Sequence, residues 1–165
     1  MFILCGPIAS GKSTYCQVVA KRGMIIINDD DIINSLHANN YVLYDKNLKI
    51  IYKSIENSIA NLCFCAKRTV VVDRGLNVSK KGRQRWIAMS KSFDVPCEAI
   101  VFPKDTPDVH AMRRFKSNTR GHSIGYWLHV ANEHNKIYET PSLDEGFDKI
   151  HNITFEEITK GRFIE

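Results

Sequence analysis

The feature that most constrains this chain is a phosphate-binding loop close to its start. Residues 6–13 read Gly-Pro-Ile-Ala-Ser-Gly-Lys-Ser, which matches the pattern G-x-x-x-x-G-K-[ST]. The apolar segment 2–5 before the loop predicts a strand, and residues 12–22 after it predict a helix. A strand, this loop and a helix, in that order, are the context in which the pattern binds nucleotide phosphates. The sequence therefore predicts a nucleoside triphosphate site at the end of the first strand.

Each part of this loop has a chemical role in that prediction. Glycines let backbone N–H groups turn inward around the phosphates, and the helix that follows adds the positive end of its dipole. We expect Lys12 to neutralise the β- and γ-phosphates and to act in catalysis, and the Ser13 hydroxyl to ligate Mg²⁺. ATP or another triphosphate is expected to contact Gly6, Ala9, Ser10, Gly11, Lys12, Ser13 and Thr14. The alternative is a glycine-rich turn that only caps a helix.

Further apolar runs predict strands at 24–27, 69–73, 99–102 and 149–154, separated by helices at 47–67, 79–92, 107–116 and 123–138. The longest helix rests on apolar residues at helical spacing: Leu48, Ile51, Ile55, Ile59 and Leu62. This alternation predicts an α/β fold, a parallel sheet of about five strands with helices on both faces. Residues 1–165 fit one domain, with a helical lid at about 110–128. Ligands in such folds bind beyond the carboxyl ends of the strands.

Carboxylates follow two of these strands directly. Asn28, Asp29, Asp30 and Asp31 come after the second strand, where one carboxylate can accept the proton of an acceptor hydroxyl. We favour Asp30 as this catalytic base, because Asn28 or Asp29 can cap the helix that starts here. Asp73 ends the third strand, a position typical of the magnesium-associated carboxylate, and is expected to bind metal water or the acceptor. Capping of a helix or a turn is the alternative for both sites.

Two groups of basic residues stand out. Arg113, Arg114, Lys116 and Arg120 lie where small kinases with this loop carry a mobile lid that places arginines on the transferring phosphate. We expect Arg113 and Arg114 to contact substrate; a solvated helix face is the alternative. The second group can contact a nucleic acid backbone, with the indole of Trp86 as a stacking surface. The alternative is that Trp86 is a core residue. Its members are Lys80, Lys81, Arg83 and Arg85.

These motifs, in this order, resemble the 5′-OH polynucleotide kinases, the kinase domains of phage and bacterial end-healing enzymes, within the wider P-loop kinase group. Residues 27–31 are similar to the family's strand-end N-x-D-D, 71–77 to its strand-D-x-x-L-N, 120–121 to its lid Arg-Gly and 146–150 to its last Gly-Phe segment. The resemblance implies that Asp30 is the general base on the 5′-hydroxyl of a polynucleotide. It also implies that Arg120 stabilises the transition state and that Asp73 assists near the acceptor or the metal.

Two positions depart from that family pattern. Ile33 stands where the family usually has an arginine that grips the acceptor's phosphate, and Gly75 stands where an asparagine is frequent. A small-molecule acceptor therefore stays open: a nucleoside, a sugar or a nucleotide-sugar, as in zeta-toxin-like kinases. A nucleotide-binding regulatory ATPase or GTPase is a third reading, although no guanine-specific N-K-x-D segment is present.

Composition adds weaker expectations about partners and compartment. The net charge of +5 favours anionic partners such as nucleotides or nucleic acid. Five scattered cysteines are typical of reduced thiols in the cytoplasm. The start of the chain leaves no room for a signal peptide, and no apolar run approaches the ~18 residues of a membrane span. His122, His129 and His134 lack the spacing of a zinc site, so we expect none. The oligomeric state stays open.

Overall fold

A computed structural model of the chain describes residues 1–117 and 121–160. Within them, five strands form one parallel sheet in the order β2-β3-β1-β4-β5. The strands are β1 Phe2–Cys5, β2 Ile25–Asn28, β3 Val70–Asp73, β4 Glu98–Val101 and β5 Lys149–Asn152. The predicted parallel sheet is confirmed, and each strand starts within one residue of its predicted position. Asn28 pairs in register with Asp73, so the two polar residues lie side by side at the carboxyl ends of β2 and β3.

The predicted helices also form, with ends within two residues of the expected ones. The helices are α1 Lys12–Ala20, α2 Asp29–Leu36, α3 Lys49–Cys65, α4 Lys80–Ser92, α5 Pro107–Lys116, α6 Ile124–Ile137 and α7 Phe155–Lys160. Short 3₁₀ segments connect α2 to α3, β3 to α4 and α6 to β5. None of the helices in residues 1–117 and 121–160 is both long enough and apolar enough to cross a membrane.

Helices cover both faces of the sheet because strand side chains alternate between the two faces. One face shares a core with α2, α3 and α4, formed by Ile3, Val70, Val72, Ile32, Phe64 and Trp86. The other face shares a core with α1 and α7, formed by Leu4, Val71, Ile100, Tyr15, Val19 and Ile158. Helices α5 and α6 pack against each other through Ala111, Trp127 and Ala131. The expected two-sided α/β architecture is confirmed.

Helix α3 buries a face that is shifted from the one its apolar spacing suggests, although Ile55 and Ile59 of that apolar set pack against the core. Its buried residues recur every four positions, at Tyr52, Glu56, Ala60 and Phe64. Ile51 is 47% exposed and Leu62 is 70% exposed, although both belong to the apolar set that predicted the helix. The carboxylate Glu56 takes a core position because arginines from outside the helix surround it. Apolar periodicity alone cannot reveal such a residue.

The basic group at the start of α4 is divided between interior and surface. Arg83 and Trp86 are 0% exposed, so the interpretation that they contact nucleic acid is wrong and Trp86 is a core residue. Arg83 pairs with Glu145 and also donates to the backbone oxygens of Asn77 and Glu139. Arg85 donates to Glu56 and stacks 4.2 Å from the centre of the Trp86 ring. The exposed members of the group are Lys80 and Lys81.

Candidate active site

The phosphate loop joins β1 to α1 and has the backbone geometry of an anion cradle. Ala9 (φ +53°) and Gly11 (φ +100°) lie in the left-handed region, which turns successive N–H groups toward one side. A Cβ on Gly6 would lie 2.7 Å from Phe102 Cβ and 2.7 Å from Ser10 Oγ, so only glycine fits there. Left-handed geometry costs a residue such as Ala9 about 1–2 kcal/mol, strain that is typical of functional loops.

Lys12, the first residue of α1, is buried beneath this loop. Its ammonium donates to the backbone oxygens of Gly6 at 2.8 Å and Pro7 at 2.7 Å. Burial lowers the pKa of Lys12 below its ordinary value, and the carboxylate of Asp73 opposes the shift. A strongly anionic ligand would stabilise this buried cation in the same way, because opposite charges favour the charged form.

The loop fits a nucleoside triphosphate and Mg²⁺. Ser10 Oγ is buried and has no hydrogen-bond partner among the residues that the structure describes. Ser13 is exposed and lines the same cavity as Lys12 and Asp73, so a hydroxyl and a carboxylate face one space. Oxygen donors of this kind are the ligands that Mg²⁺ prefers, with substrate phosphates completing the shell. Ser13 and Asp73 are therefore the residues that would hold the metal.

Asn28 is the N-cap of α2, so the three aspartates that follow it belong to the helix and not to the cap. Its side chain accepts a hydrogen bond from the backbone N–H of Asp31 at 3.2 Å, as expected for an N-cap. Asp29, Asp30 and Asp31 then form the first turn of α2. Asp30 lines the cavity, whereas Asp31 is exposed. Asp30 therefore lies on the wall of the cavity, and its catalytic role stays a prediction.

A buried network holds the first of these carboxylates. Arg74, directly after β3, contacts Asp29 at 3.2 Å through Nη2 and Glu56 at 3.2 Å through Nε. Arg85 pairs with the other oxygen of Glu56, which is 1% exposed. Burial raises the pKa of Asp29, and the guanidinium of Arg74 offsets part of that rise. The network fixes the start of α2. It also pairs the charge of Arg74 with two carboxylates of the protein itself, rather than with a ligand.

Asp73 lies between the phosphate loop and the acids of α2. Its Oδ2 accepts from Asn28 Nδ2 at 3.2 Å and from Cys16 Sγ at 3.7 Å, and the residue is 5% exposed. Burial, followed by the nearby carboxylate of Asp73, raises the pKa of the Cys16 thiol, which keeps the thiol protonated as a donor. Asp73 is thus held rigidly on the phosphate side of the site.

One cavity of about 600 Å³ brings most of the predicted residues together. Those that line it are Ala9, Gly11, Lys12, Ser13, Thr14, Asp30, Asp73, Arg113 and Arg114. Gly6 and Ser10 are buried within the loop itself. Arg120, the predicted transition-state arginine, lies outside the residues that the structure describes.

Arg113 and Arg114 of α5 contact aromatic rings as well as the cavity. The guanidinium of Arg113 lies 4.6 Å from the centre of the Phe155 ring and pairs with Asp105 at 2.6 Å. The guanidinium of Arg114 lies 4.8 Å from the centre of the Trp127 ring. These contacts hold both cations in place beside the cavity that they line, and their role on a phosphate stays a prediction.

The family was identified by comparison with known proteins. A family model described as an AAA domain, AAA_33, matches residues 1–124. The chain belongs to this AAA domain family. No curated protein sequence matches it.

Solved structures agree with this AAA domain at the level of the fold. Shikimate kinase from Acinetobacter baumannii, in complex with shikimate, matches with a TM-score of 0.61 and 14% identity, covering 96% of this chain and 86% of that one. Kti12 from Chaetomium thermophilum, in complex with ADP-AlF3, matches with a TM-score of 0.60 and 13% identity, covering 97% and 93%. A gluconokinase from Sinorhizobium meliloti 1021 matches with a TM-score of 0.54 and 14% identity, covering 96% and 86%.

This AAA domain therefore has the fold of the P-loop kinases. The matches support the wider P-loop kinase group named in the resemblance, and they do not single out the polynucleotide kinases. At 13–14% identity, they carry no information about the acceptor by themselves.

Sequence reasoning missed the contribution of α6 to the site of this AAA domain. Tyr126, Trp127, Val130 and His134 of α6 line the cavity. His134 accepts a hydrogen bond at Nδ1 from the backbone N–H of Ile8, in the phosphate loop. The histidines were considered only as metal ligands, and spacing gave no reason to place α6 beside the loop. A usable signal was the 3- and 4-residue spacing of 127, 130 and 134, which puts them on one helix face.

Proposed function

We propose that this protein is a Mg²⁺-dependent kinase that transfers the γ-phosphate of ATP, or another nucleoside triphosphate, to a hydroxyl of a small molecule. The acceptor class is a nucleoside, a sugar or a comparable hydroxylated compound. The observation that carries the proposal is the distribution of charge around the cavity. Lys12, Arg113 and Arg114 line it from the phosphate loop and α5, and the carboxylates of Asp29 and Asp30 line it from the start of α2.

The end of the cavity lined by the phosphate loop and α5 would bind the triphosphate. Backbone N–H groups of residues 9–13 surround the phosphates, Lys12 neutralises their charge, and Arg113 and Arg114 approach from α5. Mg²⁺ held by Ser13 and Asp73 would supply charge neutralisation on the phosphate oxygens during transfer. Positioning and electrostatic stabilisation provide most of the rate enhancement in phosphoryl transfer.

The end lined by the start of α2 would bind and activate the acceptor. Asp30 accepts the proton of the acceptor hydroxyl, whose oxygen attacks the γ-phosphorus. The bond between the γ-phosphorus and the oxygen that bridges to the β-phosphate then breaks, and the diphosphate leaves. Asp29 and its partner Arg74 hold the first turn of α2 in place, so that Asp30 keeps its direction toward the cavity.

A small, uncharged acceptor fits this end better than a 5′-OH polynucleotide. Of the described lining residues contributed by β2, α2 and β3, none is a lysine or an arginine. Arg74, the arginine nearest to the carboxylates, pairs with Asp29 and Glu56. Ile33, at the position of the family's arginine, is 5% exposed and belongs to the core. Two neighbours of the same fold, shikimate kinase and gluconokinase, are named after small hydroxylated acceptors; because both of these acceptors carry a carboxylate, the names support small size and not the absence of charge.

The test is phosphate transfer from γ-labelled ATP in the presence of Mg²⁺. The acceptors are a panel of nucleosides, sugars, shikimate and gluconate, beside a 5′-OH oligonucleotide. We expect label on a small acceptor, with a KM that does not change with salt if that acceptor is a neutral nucleoside or sugar, whereas binding of a polynucleotide weakens as salt rises. Label on the oligonucleotide alone would overturn the small-molecule acceptor, and a wild-type protein that binds no triphosphate would overturn the kinase.

A matched pair of variants tests the base. Asp30→Asn should lower the transfer rate at least ~100-fold and leave ATP affinity within about twofold, because general bases contribute about 10²–10⁴-fold. The control is Asp31→Asn, which removes the exposed carboxylate one residue further along α2. Equal rates in the two variants would argue against Asp30 as the base.

A further inference from the structure

His134 lies on α6 and is bound by the phosphate loop. The backbone N–H of Ile8 donates to its Nδ1 at 3.2 Å. A ring nitrogen that accepts a hydrogen bond carries no proton, so the neutral imidazole bears its proton on Nε2. The loop therefore sets the tautomer of the ring, as a second hydrogen bond commonly does for histidine.

The Nε2 side of the ring faces the end of β3. A Cβ placed on Gly75 would lie 3.8 Å from His134 Cε1 and 4.0 Å from its Nε2. His134 lines the same cavity as Lys12 and Asp73. The imidazole thus spans the gap between the phosphate loop and the segment after β3, which bracket the transferred phosphate in the proposed function.

The surroundings keep the imidazole uncharged. Burial, with smaller contributions from Lys12 and His110, lowers the pKa of His134 to about 4. A neutral N–H donor adds a hydrogen bond to an anion without placing a second positive charge beside the buried Lys12. Fixed donors of this kind stabilise charge well in a site that excludes water.

We propose that His134 is a catalytic residue, whose Nε2–H donates a hydrogen bond to the γ-phosphoryl group during transfer. The proposal rests on the proposed function, since it needs a triphosphate in the cavity. The contact with Ile8 orients the ring, and the glycine at position 75 leaves space for the phosphoryl oxygen beside Nε2.

Two substitutions separate the two nitrogens of the ring. His134→Asn places an amide oxygen near the position of Nδ1, so it keeps an acceptor for Ile8 and removes the Nε2 donor. His134→Gln places an amide nitrogen near the position of Nε2, so it keeps the donor and removes the acceptor. His129→Asn is the matched control, because His129 is an exposed residue of the same helix.

The measurement is the affinity of each variant for ADP and for a non-hydrolysable ATP analogue, both with Mg²⁺, by titration calorimetry. We expect His134→Asn to lose about tenfold or more of the preference for the triphosphate, the range for a hydrogen bond to a charged group. His134→Gln and His129→Asn should keep that preference within about threefold. ADP affinity should be unchanged in all three variants, which shows that the loop is folded.

The opposite pattern would overturn the proposal. If His134→Asn keeps the preference and His134→Gln loses it, the residue only tethers Ile8. An unchanged preference in both variants, or an ADP affinity that falls as much as the triphosphate affinity, refutes the donor role while the proposed kinase stands. A wild-type protein that binds neither nucleotide refutes the proposed function itself, and the role of His134 with it.

Discussion

Replacing Glu145 with Gln should destabilise the protein strongly, because Arg83 would lose its only carboxylate partner among the described residues. The Arg83 guanidinium is 0% exposed and donates to Glu145 through Nε at 2.8 Å and Nη2 at 2.6 Å. Its Nη1 donates to two backbone oxygens, which carry no counter-charge. Breaking one side of a buried ion pair costs about 3–5 kcal/mol, since the other charge stays buried without compensation.

Urea unfolding measures this cost directly. Thermal unfolding should show the same loss as a lower melting temperature. For a domain of this length each kcal/mol shifts the melting temperature by about 2–4 °C, so Glu145→Gln should lower it by roughly 6–20 °C. The double variant Arg83→Met/Glu145→Leu should recover only part of the loss, because it removes the unpaired charge but also leaves the backbone groups of Asn77, Glu139 and Ser142 without their side-chain partners. The controls Lys80→Ala and Lys81→Ala, in the same basic group but exposed, should stay within about 0.5 kcal/mol of wild type.

A Glu145→Gln variant as stable as wild type would refute the reasoning. The Arg83 charge would then not depend on its buried carboxylate partner.

Three further predictions follow from the same structure. Gly11→Ala, at φ +100°, should cost about 1–2 kcal/mol and weaken triphosphate binding; unchanged unfolding and nucleotide titrations would contradict the left-handed loop. Ile33→Arg should lower the urea midpoint sharply, because it buries an unpaired charge, and a stable variant that gains oligonucleotide phosphorylation would reverse our view of the acceptor. The free energy of unfolding should fall as the pH drops from 6.5 toward about 4, since His134 takes up a proton in the unfolded chain before it does so in the folded one. His134→Gln should flatten that part of the stability curve, and an equal slope in the variant would contradict the lowered pKa.

The parts of the fold that the sequence predicts well are those controlled by local patterns. Apolar runs located all five strands, and the glycine-rich motif located the phosphate loop between β1 and α1. The site followed from topology, because parallel strands present their carboxyl ends at one edge of the sheet. Asp30 and Asp73 could be assigned to that edge without coordinates for this reason.

The parts that could not be predicted depend on long-range pairing of charges. Glu56 and Arg83 look like surface residues of amphipathic helices, yet each is buried by partners far away in the chain. His134 was missed for a related reason, because 126 residues separate it from Ile8. A buried charge is stable only when its partner is present, and the partner is set by packing rather than by sequence spacing.

The two positions that depart from the polynucleotide kinase pattern, Ile33 and Gly75, have the same consequence in the structure: neither supplies a polar side chain to an acceptor. Ile33 packs into the core where an arginine would bring a cation, and Gly75 opens space beside His134 where an asparagine would project. Arg74 pairs with Asp29 and Glu56. An acceptor at this end would therefore be recognised by hydrogen bonds to its hydroxyls rather than by charge. Sites built to hydrogen-bond a hydroxyl discriminate strongly against analogues that lack it, by about 10⁴–10⁵-fold. Once an acceptor is found, its deoxy analogues should be very poor substrates, whereas a phosphorylated form should gain nothing in affinity.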